Sequence, residues 1–167
     1  MESTNFFTRG FFGNPMESIY LVRVILEKAN SFEEAIEMAK TTEIGATAFY
    51  IIGGVSDNEG CVVERNTSSV HNFYCLDDDT TWYLVQTNWD KNYTGKDDDG
   101  RKAAAVAMMD SIGQQNINLK TMMDEVLSVP PVFVTKDANL QFETISSSVM
   151  KNDQSPVFET VVWTQPE

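Results

Sequence analysis

An almost continuously apolar stretch near the N-terminus, residues 19–26, predicts the first helix of the chain, over 15–28. Asn14 has a side chain that caps helix N-termini, and Pro15 suits the first helical position. Arg23 is the only charged residue between positions 19 and 26, so this helix has almost no polar face. A helix that is apolar nearly all round must be covered by other elements, and we expect it to be deeply packed.

Short runs rich in β-branched and aromatic residues predict four strands, at 46–52, 61–65, 70–76 and 81–87. The first run is apolar at almost every position, which is typical of a central strand covered on both faces. The connections between the runs are short, which favours an antiparallel meander. Two later runs, 140–150 and 157–164, predict a closing hairpin.

Three further segments have helical spacing, at 31–40, 101–112 and 118–129. Ser31 and Glu34 have the spacing of a capping box at the start of the first of these helices. Asn118 is a capping residue for the last one, which Pro130 stops. The buried stripe predicted for the 31–40 helix consists of Phe32, Ala35, Ile36 and Ala39. Helices and antiparallel strands in this order predict an α+β fold in which helices pack on sheets.

Charge and composition exclude several classes of function. The 167 residues are 42% hydrophobic, enough for a globular core, and the net charge is -13 from 25 acidic and 12 basic residues. Nucleic-acid binding is therefore not expected, because phosphate contacts need a basic face. No run of 18 apolar residues is present, so the sequence predicts no transmembrane helix.

The sequence predicts no metal site and no cofactor. One histidine and two cysteines do not form a ligand cluster with metal-binding spacing. The acidic run 97–99 lacks the spaced oxygen ligands and the terminal glutamate of a calcium loop, so we interpret it as solvated. Cys61 and Cys75 lie in apolar strands, and we expect both to be buried free thiols rather than a disulfide framework.

The stretch from residue 81 to 109 concentrates the residues that could form a polar site. Asn88 and Asp90 follow the predicted fourth strand, and Arg101 begins a helix after an acidic loop. An asparagine amide can stabilise an oxyanion, but it can equally close a turn on its own backbone. An arginine fork can orient a carbonyl or a carboxylate. It could equally pair with a neighbouring acid, Asp97, Asp98 or Asp99.

Four motifs resemble one known family and occur in that family's order. They are AFYIIGG at 48–54, EGCVVERN at 59–66, TNWD at 87–90 with the acidic loop ending in Arg101, and LSVPPV at 127–132. Together they are similar to the C-terminal half of the acid ceramidase and N-acylethanolamine acid amidase family, over about residues 15–165. The resemblance implies part of the αββα sandwich of N-terminal nucleophile hydrolases. Residues 15–167 would then be the C-terminal part of such a hydrolase domain, and residues 1–14 a tail.

The resemblance also implies roles for individual residues. In this family an N-terminal cysteine attacks an amide carbonyl, and that nucleophile lies upstream of the matched segment, so neither cysteine here corresponds to it. Asn88 matches the family's active-site asparagine, and Arg101 matches its arginine, with Asp90 and Asp99 in support. Where the family usually has two acids followed by two arginines, this chain has Asp99, Gly100, Arg101 and Lys102.

The resemblance favours a lysosomal lipid amidohydrolase that releases a fatty acid from ceramide or an N-acylethanolamine. Its substrate would be a lipid amide, its partner the missing N-terminal half of the enzyme, and the chain alone would be inactive. The alternatives are a non-catalytic family member that binds lipid or a partner chain and, less favoured, a bile-salt or penicillin-type amidase. A lysosomal or secreted location is implied, where the glycosylation sequons at Asn66 and Asn92 would be used.

The N-terminal residues do not have the pattern of a signal peptide. Position 2 is acidic, and polar residues interrupt any apolar core within residues 1–15. A lysosomal or secreted enzyme has to be translocated. From the sequence we therefore expect a fragment, a truncated gene model or an isoform.

Overall fold

The computed structural model describes residues 16–77, 81–91, 99–134, 143–153 and 155–163. It divides the chain into two compact units, Met1–Gln86 and Thr87–Glu167. The predicted tail, residues 1–14, lies outside the described residues, and the single-domain boundary 15–167 stays a prediction. Among the helices that the structure describes, none is long and apolar enough to cross a lipid bilayer.

The first unit begins with two helices, α1 (Ser18–Lys28) and α2 (Phe32–Thr41). The capping prediction for α2 is confirmed, since the Ser31 side chain accepts a hydrogen bond from the Glu34 backbone N–H at 3.2 Å. The buried stripe is confirmed too. Its buried and partly buried members are Ala35, Ile36, Ala39 and Phe32.

Helix α1 differs from the prediction in its start and in its burial. It begins at Ser18, three residues later than predicted, because Met16 is extended and forms a parallel bridge with Ile44. The predicted cap, Asn14, lies outside the described residues. Only Leu21 and Ile25 are buried, so the expected deep packing is wrong. Apolar side chains on its other faces are exposed, namely Ile19, Tyr20, Val22 and Leu26.

A three-stranded antiparallel sheet follows the helices, in the order β1-β2-β3, which confirms the predicted meander. Its strands are β1 (Ala48–Gly53), β2 (Gly60–Arg65) and β3 (Val70–Cys75). The central strand is β2, whose residues 61–65 are all buried. Strand β1 is at an edge of this sheet within the described chain and leaves Ile51 exposed, so its prediction as a doubly covered central strand is wrong.

The predicted fourth strand, 81–87, is not formed. Within the described residues, the only pairing in this stretch is an isolated bridge between Asp77 and Thr81. The segment is therefore irregular, although its β-branched and aromatic composition predicted a strand. One of its side chains, Gln86, receives a hydrogen bond from the Tyr74 hydroxyl of β3. Tertiary contacts of this kind override local propensity.

The two cysteines form a disulfide, which corrects the prediction of free thiols. Cys61 and Cys75 are direct partners in the antiparallel register of β2 and β3, with Cα atoms 4.0 Å apart. The two cysteines are therefore closer than the limit of about 7 Å beyond which a disulfide cannot form without backbone movement. The pairing depends on the register of β2 and β3, which a count of two cysteines does not show.

Arg65, at the end of β2, joins the sheet to the C-terminal end of α2. Its guanidinium is 2% exposed and donates hydrogen bonds to the carbonyl oxygens of Ala39, Thr42 and Ser69. Burial lowers the pKa of this guanidinium. A buried cation is favourable at this position because the carbonyls that end a helix carry partial negative charge.

The second unit contains α3 (Arg101–Ile112), whose bounds are those predicted. A 3₁₀ turn at Gln114–Asn116 leads to α4 (Leu119–Met122), which continues as a π-helical turn over Met123–Leu127. Asn118 caps α4 as predicted, in a reciprocal pair with Thr121. The closing hairpin is confirmed as β4 (Ser146–Lys151) and β5 (Val157–Val162), and the early part of its predicted first strand lies outside the described residues.

Candidate functional site

Two residues singled out from the sequence, Asn88 and Arg101, meet in the second unit. Arg101 Nη2 donates a hydrogen bond to Asn88 Oδ1 at 2.9 Å. The positions are 13 residues apart and are joined through the acidic loop. Asn88 is exposed, whereas the Arg101 side chain is 23% exposed. The contact therefore lies at the surface of this unit, where a ligand can reach the asparagine.

Asp99 holds Arg101 in this position through two contacts. Its Oδ2 accepts a hydrogen bond from Arg101 Nε at 2.6 Å, and its Oδ1 accepts one from the Arg101 backbone N–H at 3.1 Å. The second contact also satisfies a backbone donor of the first turn of α3. A carboxylate at a helix N-terminus offsets the unfavourable placement of an arginine there. Arg101 thus pairs with a neighbouring acid, Asp99, and contacts Asn88 at the same time.

Gly100 makes the turn between these two residues. It is the N-cap of α3 and has φ of 76°, in the left-handed region. Residues with a Cβ enter that region at a cost, whereas glycine does so freely. Gly100 stands where the resembled family usually has an acid, and glycine adopts this backbone conformation without strain.

The hydrogen bond from Arg101 fixes which way the Asn88 amide points. A guanidinium has donors and no acceptor, so the Asn88 atom that faces it must be the oxygen. The Nδ2 group is then directed away from Arg101. The site consequently presents an amide N–H donor, held in orientation by an arginine that is itself held by Asp99.

Other predicted site residues have different surroundings. Asp90 is partly buried, and the Asn88 side chain accepts its hydrogen bond from Arg101, so a supporting role for Asp90 stays a prediction. Asn92, Asp97 and Asp98 lie outside the described residues. Lys102 was not predicted to contribute. Its Nζ donates to the Lys91 carbonyl at 2.7 Å and so connects Lys91 to α3.

The disulfide bears directly on the chemistry of the cysteines. Cys61 and Cys75 are the only cysteines of the chain, and both are bonded to each other. Only a thiolate is nucleophilic. Neither sulfur can therefore attack an amide while this bond is intact.

Comparison with known proteins decides the family. The family model described as acyl-coenzyme A:6-aminopenicillanic acid acyl-transferase matches residues 4–163. The chain belongs to this family. Within it the chain is similar to acid ceramidases and N-acylethanolamine acid amidases, as the motifs at 48–54, 59–66, 87–90 and 127–132 predicted.

Curated relatives are 33–39% identical to the chain over the matched segments. Human acid ceramidase is 39% identical over 114 residues, which are 68% of this chain and 29% of the relative. The N-acylethanolamine-hydrolyzing acid amidase of Caenorhabditis elegans is 33% identical over 151 residues, which are 88% of this chain and 40% of the relative. The rabbit (Oryctolagus cuniculus) acid amidase is 35% identical over 115 residues, 68% of this chain and 32% of the relative.

A solved structure supports the same assignment at the level of the fold. The Caenorhabditis elegans ortholog of the acid amidase superposes with a TM-score of 0.67 and is 31% identical. The match covers 87% of this chain and 60% of that one. The fold is therefore the α+β fold of the N-terminal nucleophile hydrolases. The chain spans roughly 30–40% of the length of these curated relatives.

Proposed function

We propose that this chain supplies one side of the active site of a lipid-amide hydrolase. The substrate would be ceramide or an N-acylethanolamine, and hydrolysis of its amide bond would release a fatty acid. The observation that carries the proposal is the 2.9 Å contact between Arg101 and Asn88, which holds an amide donor in a fixed orientation. The acid ceramidases and acid amidases among the relatives support the substrate class.

In this proposal Asn88 Nδ2 donates a hydrogen bond to the oxygen of the tetrahedral intermediate. When a nucleophile adds to the amide carbon, the carbonyl π electrons move to oxygen, and the resulting oxyanion needs a donor. A preorganised donor of this kind is worth about 3–4 kcal/mol of transition-state stabilisation. Arg101 acts mainly through Asn88, by fixing its amide, and Asp99 acts through Arg101.

The nucleophile would come from a partner segment, the N-terminal half of the family's enzyme. Both cysteines of this chain are in a disulfide, and the matched segments cover only 29% and 40% of the relatives. The partner's cysteine would add to the amide carbon, the amine would leave, and water would then release the fatty acid from the thioester. Without that partner the chain is expected to hydrolyse no amide.

The compartment proposed for the enzyme is the lysosome or the secretory route. A structural disulfide persists in oxidising compartments and is rare in the cytosol. Asn66 follows β2 and is exposed, so its sequon is open to glycosylation. Loss of mass on treatment with a glycosidase, smaller in Asn66→Gln than in the parent, would test the use of this site.

The test is hydrolysis by the protein expressed within its natural reading frame, including any preceding residues. We would measure fatty-acid release at acidic pH from a ceramide and an N-acylethanolamine with the same acyl chain. We expect turnover of at least one, reduced about 10²–10³-fold by Asn88→Ala. Asn152→Ala, at an exposed position of the β4–β5 turn, is the matched control and should have no effect. Absence of turnover by folded protein would favour the non-catalytic alternative.

Acyl transfer is a second candidate, favoured by the acyl-transferase description of the family. An acyl-enzyme that reacts with water releases an acid, whereas one that reacts with an amine forms a new amide. Adding 6-aminopenicillanic acid to the same assay separates the two. A new acylated product at the expense of free fatty acid would favour transfer.

A further inference from the structure

The second unit contains an apolar groove that the proposed active site does not use. It lies between α4 with its π-helical turn and the closing hairpin, and its volume is about 780 Å³. We call it the hairpin groove. Its apolar lining comes from Leu119, Met122, Leu127, Val149, Met150 and Val157. The volume is within the range of about 300–1,000 Å³ that is usual for small-molecule sites.

The walls of the hairpin groove are fixed to each other. Val149 of β4 is buried, and Val126 is buried on the facing π-helical turn. Trp163 Nε1 donates to Ser147 Oγ at 3.1 Å, and its ring packs edge-on against Phe133 at 4.9 Å between centroids. These contacts anchor the hairpin to the segment that follows the helix. The groove is therefore preformed, which lowers the cost of binding.

The ionised side chains that line the hairpin groove are cationic, although the chain has a net negative charge. The chain has 25 acidic and 12 basic residues. In the part of the chain that the structure describes, the groove is lined by two lysines, Lys120 and Lys151, and by no carboxylate. Each lysine pairs with an acid beside the groove, Asp124 and Asp153. Exposed pairs are weak, and an ammonium group has three donors, so a ligand carboxylate can join them.

We propose that the hairpin groove binds a monomeric fatty-acid anion. The alkyl chain would lie against the apolar lining, and the carboxylate would meet Lys120 and Lys151. A fatty acid is also the product of the proposed hydrolysis, but binding requires no catalysis. The proposal of fatty-acid binding can therefore be wrong while the proposal of hydrolysis is right, and the reverse also holds.

The experiment is calorimetric titration of the monomeric full chain with decanoate, dodecanoate and 1-decanol, each below its solubility or micelle limit. Burial of each methylene should tighten binding by up to about fourfold, so dodecanoate should bind up to about fifteenfold more tightly than decanoate. Decanol should bind more weakly than decanoate, and the difference should shrink with added salt. Equal affinities for decanoate and decanol, or no dependence on chain length, would overturn the proposal.

Two kinds of variant locate the ligand. Met150→Glu places a carboxylate in the hairpin groove at an exposed position and should weaken dodecanoate binding at least about tenfold. Val162→Glu, an equally exposed apolar position of β5 outside the groove lining, is the matched control and should bind normally. The double substitution Lys120→Gln and Lys151→Gln should abolish the preference for decanoate over decanol. Equal weakening by Met150→Glu and Val162→Glu would overturn the location.

Discussion

Arg101 holds the side chain of Asn88 by a 2.9 Å hydrogen bond from Nη2 to Oδ1. The same guanidinium uses Nε to contact Asp99, so its two ends bind two different partners at fixed angles. A planar fork can do this, whereas a single ammonium nitrogen cannot. The relationship makes Arg101 a positioning residue for Asn88 in the proposed active site.

Replacing Arg101 should therefore lower kcat more than it changes KM. In the complete enzyme we expect Arg101→Ala to reduce kcat about tenfold to a hundredfold, and Arg101→Lys to restore little of it. Steady-state kinetics with a ceramide and an N-acylethanolamine measure this. Arg23, which is exposed and paired only with Glu27 among the described residues, provides matched controls in Arg23→Ala and Arg23→Lys. Full activity of Arg101→Lys would show that the planar guanidinium is not required.

Gly100 and Gly113 offer a matched pair for separating stability from activity. Their φ angles are 76° and 74°, and a Cβ at either position would meet no heavy atom within 4 Å. Alanine should destabilise the fold through backbone strain, by about 1 kcal/mol at Gly100, where ψ is -1°, and by about 1–3 kcal/mol at Gly113, where ψ is 151°. Only Gly100→Ala should also lower kcat, because Gly100 sets the turn between Asp99 and Arg101. Unfolding in urea and turnover assays measure the two effects; equal loss of kcat in both variants would contradict the idea.

Arg65 is expected to be important for the stability of the first unit. Arg65→Met removes hydrogen bonds to three carbonyl oxygens and leaves the buried carbonyl of Ala39 without this donor, and should cost about 2–4 kcal/mol. The urea midpoint of unfolding measures the loss. Arg23→Met, a change of the same chemistry at an exposed site, should stay within about 0.5 kcal/mol of the parent.

The disulfide should stabilise the β2–β3 hairpin. It closes a loop with a sequence separation of 14 residues, and a loop of that size is worth about 3 kcal/mol. Thermal unfolding with and without reductant tests this, alongside titration of free thiols. The double variant Cys61→Ser and Cys75→Ser should unfold at the lower temperature under both conditions. If reductant lowers the midpoint of that variant as well, the effect does not come from this bond.

Glu34 should contribute to a loss of stability in acid. Hydrogen bonds from the Asn30 backbone and side-chain amide hold the pKa of this carboxyl below its usual value of 4.5. Because the folded pKa is the lower one, the contribution is present above pH 4.5 and is lost as pH falls through the folded pKa. Melting temperatures between neutral pH and about pH 3 should fall less steeply for Glu34→Gln than for the parent. Glu37→Gln, on the same helix, is the control.

The sequence by itself determined the elements whose signals are local. Alanine-rich spacing after Gly100 fixed both ends of α3, and the side chains of Ser31 and Asn118 marked two helix starts, because caps satisfy backbone donors nearby in the chain. Four ordered motifs identified the family and hence the fold. They also selected Asn88 and Arg101 as candidates. A separation of 13 positions does not by itself predict that the two side chains are in contact.

Only the tertiary structure decided which apolar surfaces are covered and which partners meet. Helix α1 looked deeply buried from its composition, yet Ile19 and Leu26 are exposed, because burial depends on what packs against a face and not on the face alone. The stretch 81–87 had strand composition and formed no strand, since pairing needs a neighbour in register. The register of β2 and β3 brought Cys61 opposite Cys75, and the tertiary structure brought Arg101 within hydrogen-bond distance of Asn88.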